Sequence, residues 1–136
     1  IFFEEPNNSE QLNSAATYLW GHDFLVTPIV NSDVKTKDVY FPKGHYWFNF
    51  YKDEKIEGGQ TKTVPTSMEQ IPTYVRAGAF IPLTDVVQSS DNYDLSNLEI
   101  HYYHDPSVQN SAREIYHDDG LTANAFEKQQ WSWNAR

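Results

Sequence analysis

The chain has 136 residues and a formal net charge of −9, from 19 acidic against 10 basic side chains, which disfavours nucleic acid and anionic membranes as partners while leaving neutral ligands open. With 15% aromatic residues it reads as a β-rich globular protein, and its length allows one sizeable core, or one domain and part of another. Cysteine is absent, which excludes a disulfide framework, a thiolate zinc site and a cysteine nucleophile, and no apolar run reaches the roughly 20 residues that a membrane helix needs.

The chain opens on Ile1-Phe2-Phe3, residues typical of a strand interior, so it reads as a piece of a longer protein. A short strand is expected over 1–4, stopped by Pro6 and the turn-prone Asn7-Asn8. Ser9 suits an N-cap, and Leu12, Ala16 and Leu19 recur at helical spacing, so one short helix is expected over about 10–18. Trp20-Gly21-His22-Asp23 breaks it. Residues 24–30 form a near-continuous apolar strand, expected to be buried on both faces. After a polar loop, 38–42 and 45–51 are expected to pair as a hairpin closed by Pro42-Lys43-Gly44. A charged connection ends at Gly58-Gly59, and 60–65 alternates as a half-exposed strand.

The densest apolar run is 71–83, fenced by Pro72 and Pro82 and interrupted at Ala77-Gly78-Ala79. It reads as a strand bent at Gly78, with the other strands arranged around it. Arg76 is a cation in an apolar strand. It must lie at a sheet end or meet a buried carboxylate, for which Glu4 or Glu5 is the candidate. Residues 84–97 are polar and mark a boundary. Beyond them 98–104, 112–117 and 124–133 read as strands, with turns at Asp105-Pro106 and Asp118-Asp119-Gly120. The expected fold is all-β: an antiparallel β-sandwich with one short N-terminal helix and part of a second β domain. The expected division is a proximal domain over 1–84, a linker over 85–97, and the start of a distal β domain, truncated or divergent, over 98–136.

No residue is assigned a catalytic role. The adjacent carboxylates of Glu4 and Glu5 would point to opposite faces of a strand and could not flank one scissile bond. Asp118 and Asp119 could begin a calcium corner or simply form a tight turn, and two carboxylates are too few for a cage. His101 and His104 fall on opposite faces of their strand, and although His117 could approach one of them, no zinc site is assigned. There is no Ser-His-Asp arrangement and no phosphate-cradling glycine loop, and no cofactor is called for. Tyr46, Trp47, Trp131 and Trp133 are candidate carbohydrate contacts, because sugar rings stack on exposed aromatic faces; core packing is the alternative for each.

Phe2-Phe3-Glu4-Glu5-Pro6, followed by Tyr18-Leu19-Trp20-Gly21-His22-Asp23-Phe24-Leu25-Val26-Thr27-Pro28-Ile29-Val30, resembles the region after the catalytic barrel in glycoside hydrolase family 31, which contains α-glucosidases and α-xylosidases. Val39-Tyr40-Phe41-Pro42-Lys43-Gly44-His45-Tyr46-Trp47, Gly58-Gly59 and the run from Ile71 to Pro82 continue the resemblance in order, to about residue 83. Ile115-Tyr116-His117-Asp118-Asp119-Gly120 resembles the opening of that family's distal C-terminal domain. The resemblance implies a proximal β-sandwich lying against a (β/α)8 barrel. It also implies retaining hydrolysis by two Asp residues on that barrel, upstream of Ile1, so that neither maps onto this chain. On this reading the chain is a non-catalytic fragment of a retaining α-glycosidase that acts on terminal α-linked sugars of oligosaccharides. Its partner would be the barrel of the same polypeptide, and the isolated piece would expose an apolar patch and self-associate. The alternative is an independent carbohydrate-binding module.

Overall fold

The computed structural model describes residues 1, 3–12, 16–89, 92–118, 120–122 and 125–135. The chain divides into two compact units, Ile1–Ala77 and Gly78–Arg136.

In the first unit a short helix α1 (Ser9–Leu12) precedes seven strands: β1 (Tyr18–Trp20), β2 (Phe24–Val26), β3 (Thr36–Phe41), β4 (Tyr46–Asn49), β5 (Lys55–Glu57), β6 (Gln60–Pro65) and β7 (Thr73–Arg76). Five of them form one antiparallel sheet in the order β1-β2-β7-β4-β5, and β3 pairs with β6 in a second sheet. Leu25, Trp47, Ile56 and Tyr74 from the larger sheet meet Val39, Phe41 and Val64 from the smaller one in a single core. Each such aliphatic or aromatic side chain contributes about 1.5–3 kcal/mol on burial. The sandwich expected from the alternation of short strands is present.

β7 is the middle strand of the larger sheet, so the others do surround it, and Val75 is fully buried there. The strand run bends at Gly78, whose φ is +88°, a value that only glycine adopts without strain. A Cβ at Gly78 would lie 2.9 Å from Cγ1 of Val108.

Three local expectations fail. Residues 1 and 3–5 form no strand: the Glu4 and Glu5 amides donate to Ile1 O at 3.0 and 3.1 Å in a turn, Ile1 packs against the core, and Phe2 lies outside the described residues. The helix is shorter than expected because Leu19 lies between exposed Tyr18 and Trp20 in β1, where it faces the core as a strand residue; residues 13–15 lie outside the described residues. The hairpin of 38–42 with 45–51 does not form. β3 pairs with β6 while β4 pairs with β5 and β7, because the Pro42-Lys43-Gly44 corner carries the chain from one sheet across to the other. Gly58 makes this crossing possible. Its amide donates to His45 O at 2.9 Å, and a Cβ there would fall 2.1 Å from Pro42 O.

The second unit holds β8 (Phe80–Leu83), β9 (Glu99–Tyr102), β10 (Asn110–Asp118) and β11 (Phe126–Asn134). β8 pairs with β9, and β10 with β11 in a long antiparallel ribbon. Phe80 stacks on Tyr102 at 4.5 Å, and Trp133 closes on Tyr102 and His104 at 5.8 and 5.0 Å. Gly78 N donates to Tyr103 O and Ser111 Oγ to Gly78 O, which ties the bend to this unit.

Candidate functional site

The most organised polar cluster of the first unit is built on Glu4 and Glu5. Arg76 ends β7 with its guanidinium over the Trp47 ring, 5.0 Å from the centroid. Its Nη2 donates to Glu4 Oε1 and its Nη1 to His45 Nε2 at 2.9 Å. Arginine can only donate, so His45 accepts through an unprotonated Nε2 and carries its proton on Nδ1. Burial and the adjacent Arg76 charge hold the His45 pKa below its ordinary value, and Glu4 only partly offsets them. The cation in the apolar strand has therefore found the carboxylate its position requires.

Glu5 is 7% exposed and turns to the other sheet. Tyr40 OH of β3 donates to its two oxygens at 3.1 and 2.9 Å, Lys43 N to Oε1 at 2.8 Å, and Asn8 Nδ2 to Oε2 at 3.0 Å. Burial pushes its pKa up, but the bonds from Asn8, the Lys43 amide and Tyr40 outweigh it, and the carboxyl sits below its ordinary value. The tyrosine responds the opposite way: burial and the Glu5 carboxylate raise Tyr40. Both acids are committed to the fold, which leaves the pair unsuited to acid/base catalysis.

The candidate sugar contacts separate on exposure. Trp47 is fully buried, and its Nε1 donates to Pro42 O at 3.1 Å, so it offers no surface to a ligand. This corrects the expectation for Trp47, and the reason is that β4 turns its odd-numbered indole, not Tyr46, into the core. Tyr46 is half-buried with Lys55 Nζ 4.4 Å from its ring centroid. Trp131 and Trp133 are half-buried on one face of β11, opposite Arg113 and Ser111. Asp118 Oδ1 accepts from Gly120 N at 2.9 Å, which is turn chemistry, and Asp119 lies outside the described residues. Among the described residues no group of three or more His, Cys, Asp or Glu is placed to hold a metal ion. His101 bonds to Glu99 at 2.7 Å, and His104 packs on Trp133.

On the face of the larger sheet that points away from the core, Trp20 (68% exposed) stacks on its cross-strand partner Phe24 at 5.6 Å. Phe50 meets Phe24 edge-on at 5.9 Å, and Tyr51 meets Phe50 at 5.2 Å. The sequence signal is the alternation Tyr18-Leu19-Trp20, which the helical spacing of Leu12, Ala16 and Leu19 obscures. At one end of the same unit, the loops over 29–35 and 66–71 border an open depression of about 590 Å³ that includes exposed Val30, Met68 and Ile71.

Comparison with known proteins gives this architecture a family. The model of the glycosyl hydrolase family 31 C-terminal domain matches residues 1–81. An α-xylosidase of Saccharolobus solfataricus is 34% identical over 107 residues, covering 77% of this chain and 14% of that protein. α-Glucosidase 2 of Bacillus thermoamyloliquefaciens is 30% identical over 122 residues, covering 90% of this chain and 15% of its own length. Among solved structures, a Flavobacterium johnsoniae family 31 dextranase complexed with glucose superposes with a TM-score of 0.87 at 29% identity, over 98% of this chain and 17% of the dextranase. A Xanthomonas citri family 31 α-xylosidase superposes with a TM-score of 0.83 at 26% identity, over 98% of this chain and 15% of that enzyme. The chain thus spans about a seventh of the relatives it matches. With the family model matching residues 1–81, more than half of its length, the chain belongs to glycosyl hydrolase family 31 through its C-terminal domain.

Proposed function

We propose that the chain is the non-catalytic C-terminal β-sandwich portion of a retaining, α-glucosidase-like enzyme that hydrolyses terminal α-linked sugars. Its part is to support a catalytic (β/α)8 barrel of the same polypeptide and to steady the loops that shape the substrate pocket. The observation that carries this reading is the outward-facing row of Trp20, Phe24 and Phe50. A contiguous apolar surface of this kind marks an interaction face. The relatives' α-glucosidase, α-xylosidase and dextranase activities supply the substrate class. The division into a proximal domain over 1–84, a connection over 85–97 and the start of a distal domain from 98 belongs to the same proposal, supported by a family match that ends at residue 81.

The test compares the isolated chain with a polypeptide extended upstream of Ile1, using 4-nitrophenyl α-D-glucopyranoside and α-D-xylopyranoside. Only the longer polypeptide is expected to release nitrophenol. Hydrolysis by the isolated chain refutes the reading. In parallel, light scattering of the isolated chain is expected to show concentration-dependent self-association that Trp20→Lys relieves.

A second reading, a carbohydrate-binding module, draws on Trp131 and Trp133, half-exposed on one face of β11. Titration with maltose and isomaltose oligomers, followed by tryptophan fluorescence, separates the two. Saturable quenching abolished by Trp133→Ala favours the module, and a flat response favours the supporting role.

A further inference from the structure

The segment that brings the chain into the first unit belongs to no sheet, yet it is fastened at two neighbouring residues to two different sheets. Glu4 is held by Arg76 of β7, 72 residues away, in the five-stranded sheet. Glu5 is held by Tyr40 of β3 and by the Lys43 amide just beyond it, in the two-stranded sheet. The peptide between them can swivel about neither attachment, because turning about one would break the other. A third constraint comes from Ile1, whose carbonyl accepts both the Glu4 and Glu5 amides and whose side chain packs on the core. Charge-assisted bonds add direction to the packing of Ile1, because they are directional where apolar contact is not.

From this arrangement we infer that Glu4 and Glu5 are positioning residues that fix the direction in which the polypeptide enters this domain. Whatever precedes Ile1 is then held in one orientation relative to the sandwich. The inference rests on the reading of the chain as a supporting domain for a part of the polypeptide upstream. An isolated module would have no use for a doubly tethered approach, and a single tether or a hydrophobic plug would suffice to keep a terminus from fraying. Glu5 has the stronger hold, with three separate donors on a nearly buried carboxylate. Glu4 is the adjustable side, since its partner also bonds His45 and lies over Trp47.

The absence of cysteine makes the test direct. Nitroxide labels are placed through Phe3→Cys on the incoming turn and Met68→Cys on a loop of the same unit, both almost fully exposed, and the label–label distance distribution is read by pulsed electron paramagnetic resonance. The expected result is one narrow distance in the otherwise native chain. Glu4→Gln should broaden that single narrow peak, and Tyr40→Phe should broaden it less because Asn8 Nδ2 and Lys43 N still hold Glu5, while circular dichroism of the sheets is unchanged in both. Tyr40→Phe is the milder variant because it removes one bond without unpairing a charge, and it keeps the test decisive if Glu5→Gln fails to fold. A distribution that stays narrow in every variant overturns the inference. So does a broad one in the native chain, or broadening only where the sheets themselves unfold. None of these outcomes bears on hydrolysis, so failure here leaves the assignment as a supporting domain to its own assay.

Discussion

Gly58→Ala is expected to be far more damaging than Gly59→Ala, although the two glycines are adjacent. At Gly58 the obstacle is steric. A Cβ would stand 2.1 Å from Pro42 O and 2.6 Å from His45 O, both backbone atoms that cannot rotate away. Relieving the overlap means separating the corner at 42–45 from the β5–β6 turn. That breaks the Gly58 N to His45 O bond at 2.9 Å and strains the Gly59 N to Phe41 O bond at 2.7 Å. One lost bond at about 0.5–1.5 kcal/mol, up to as much again for the strained one, and about 1–3 kcal/mol for forced backbone displacement give about 1.5–6 kcal/mol. At Gly59 the obstacle is conformational. Its φ of +82° costs an alanine about 1–2 kcal/mol, and the nearest atom to an added Cβ is Lys43 Cβ at 3.3 Å. Reduced freedom of the unfolded chain returns about 0.4–1 kcal/mol of that. Urea unfolding followed by tryptophan fluorescence measures both variants against the native chain. Equal losses, or a Gly58→Ala chain as stable as the native one, would refute the claim that this close approach carries the crossover between sheets.

Trp47→Phe is expected to cost about 1–3 kcal/mol in the same urea assay, mainly by leaving Pro42 O buried without its indole donor; a loss within error of zero would mean that water or a rearranged donor replaces it. Stability is expected to fall in two stages on acidification. His45 has a folded pKa below its ordinary 6.5, so the unfolded chain binds the extra proton and stability drops as the pH falls below about that value; Glu5, below its ordinary 4.5, adds a further loss as the pH falls through its folded value. Thermal unfolding from pH 8 to 3 checks both: His45→Gln should flatten the upper stage and Glu5→Gln the lower, and an unchanged profile in either variant counts against the corresponding assignment.

The elements were largely legible in the sequence, and the pairing was not. Runs of Val, Ile, Thr and aromatics between prolines identified β6, β7 and β8 because those side chains suit a pleated, half-buried surface whatever lies alongside. The bend at Gly78 was legible for the same local reason. Partners are another matter. Pro42-Lys43-Gly44 has the chemistry of a turn whether the chain folds back beside β3 or crosses to the other sheet, and nothing inside those residues decides between them. The deciding residue, Gly58, lies beyond the next strand pair, and its meaning depends on Pro42 O and His45 O arriving from elsewhere. Trp47 poses the same difficulty. The run Tyr46-Trp47-Phe48 is aromatic at every position, so alternation shows that one face is buried without showing which. The burial of Trp47 in one core with Leu25, Phe41 and Tyr74 settles it.

The two carboxylates show how a correct conclusion can rest on a wrong premise. Glu4 and Glu5 were set aside as catalysts because adjacent strand residues diverge, yet they lie in a turn, where that rule does not apply. What separates them is the demand of their partners. Arg76, displaced from water at the end of an apolar strand, requires one carboxylate, while the β3–β4 corner presents an amide and a phenol that a second can accept. A carboxylate that accepts several such bonds is held ionised and cannot readily take up a proton at neutral pH, as the lowered pKa of Glu5 indicates. The bonds that hold the Glu5 carboxyl ionised also fasten the turn to β3 and the corner beyond it, while Glu4 fastens it to β7. In this domain the two acidic side chains serve geometry: Glu4 ties the turn to the strand that ends at Arg76, and Glu5 ties it to the strand that carries Tyr40.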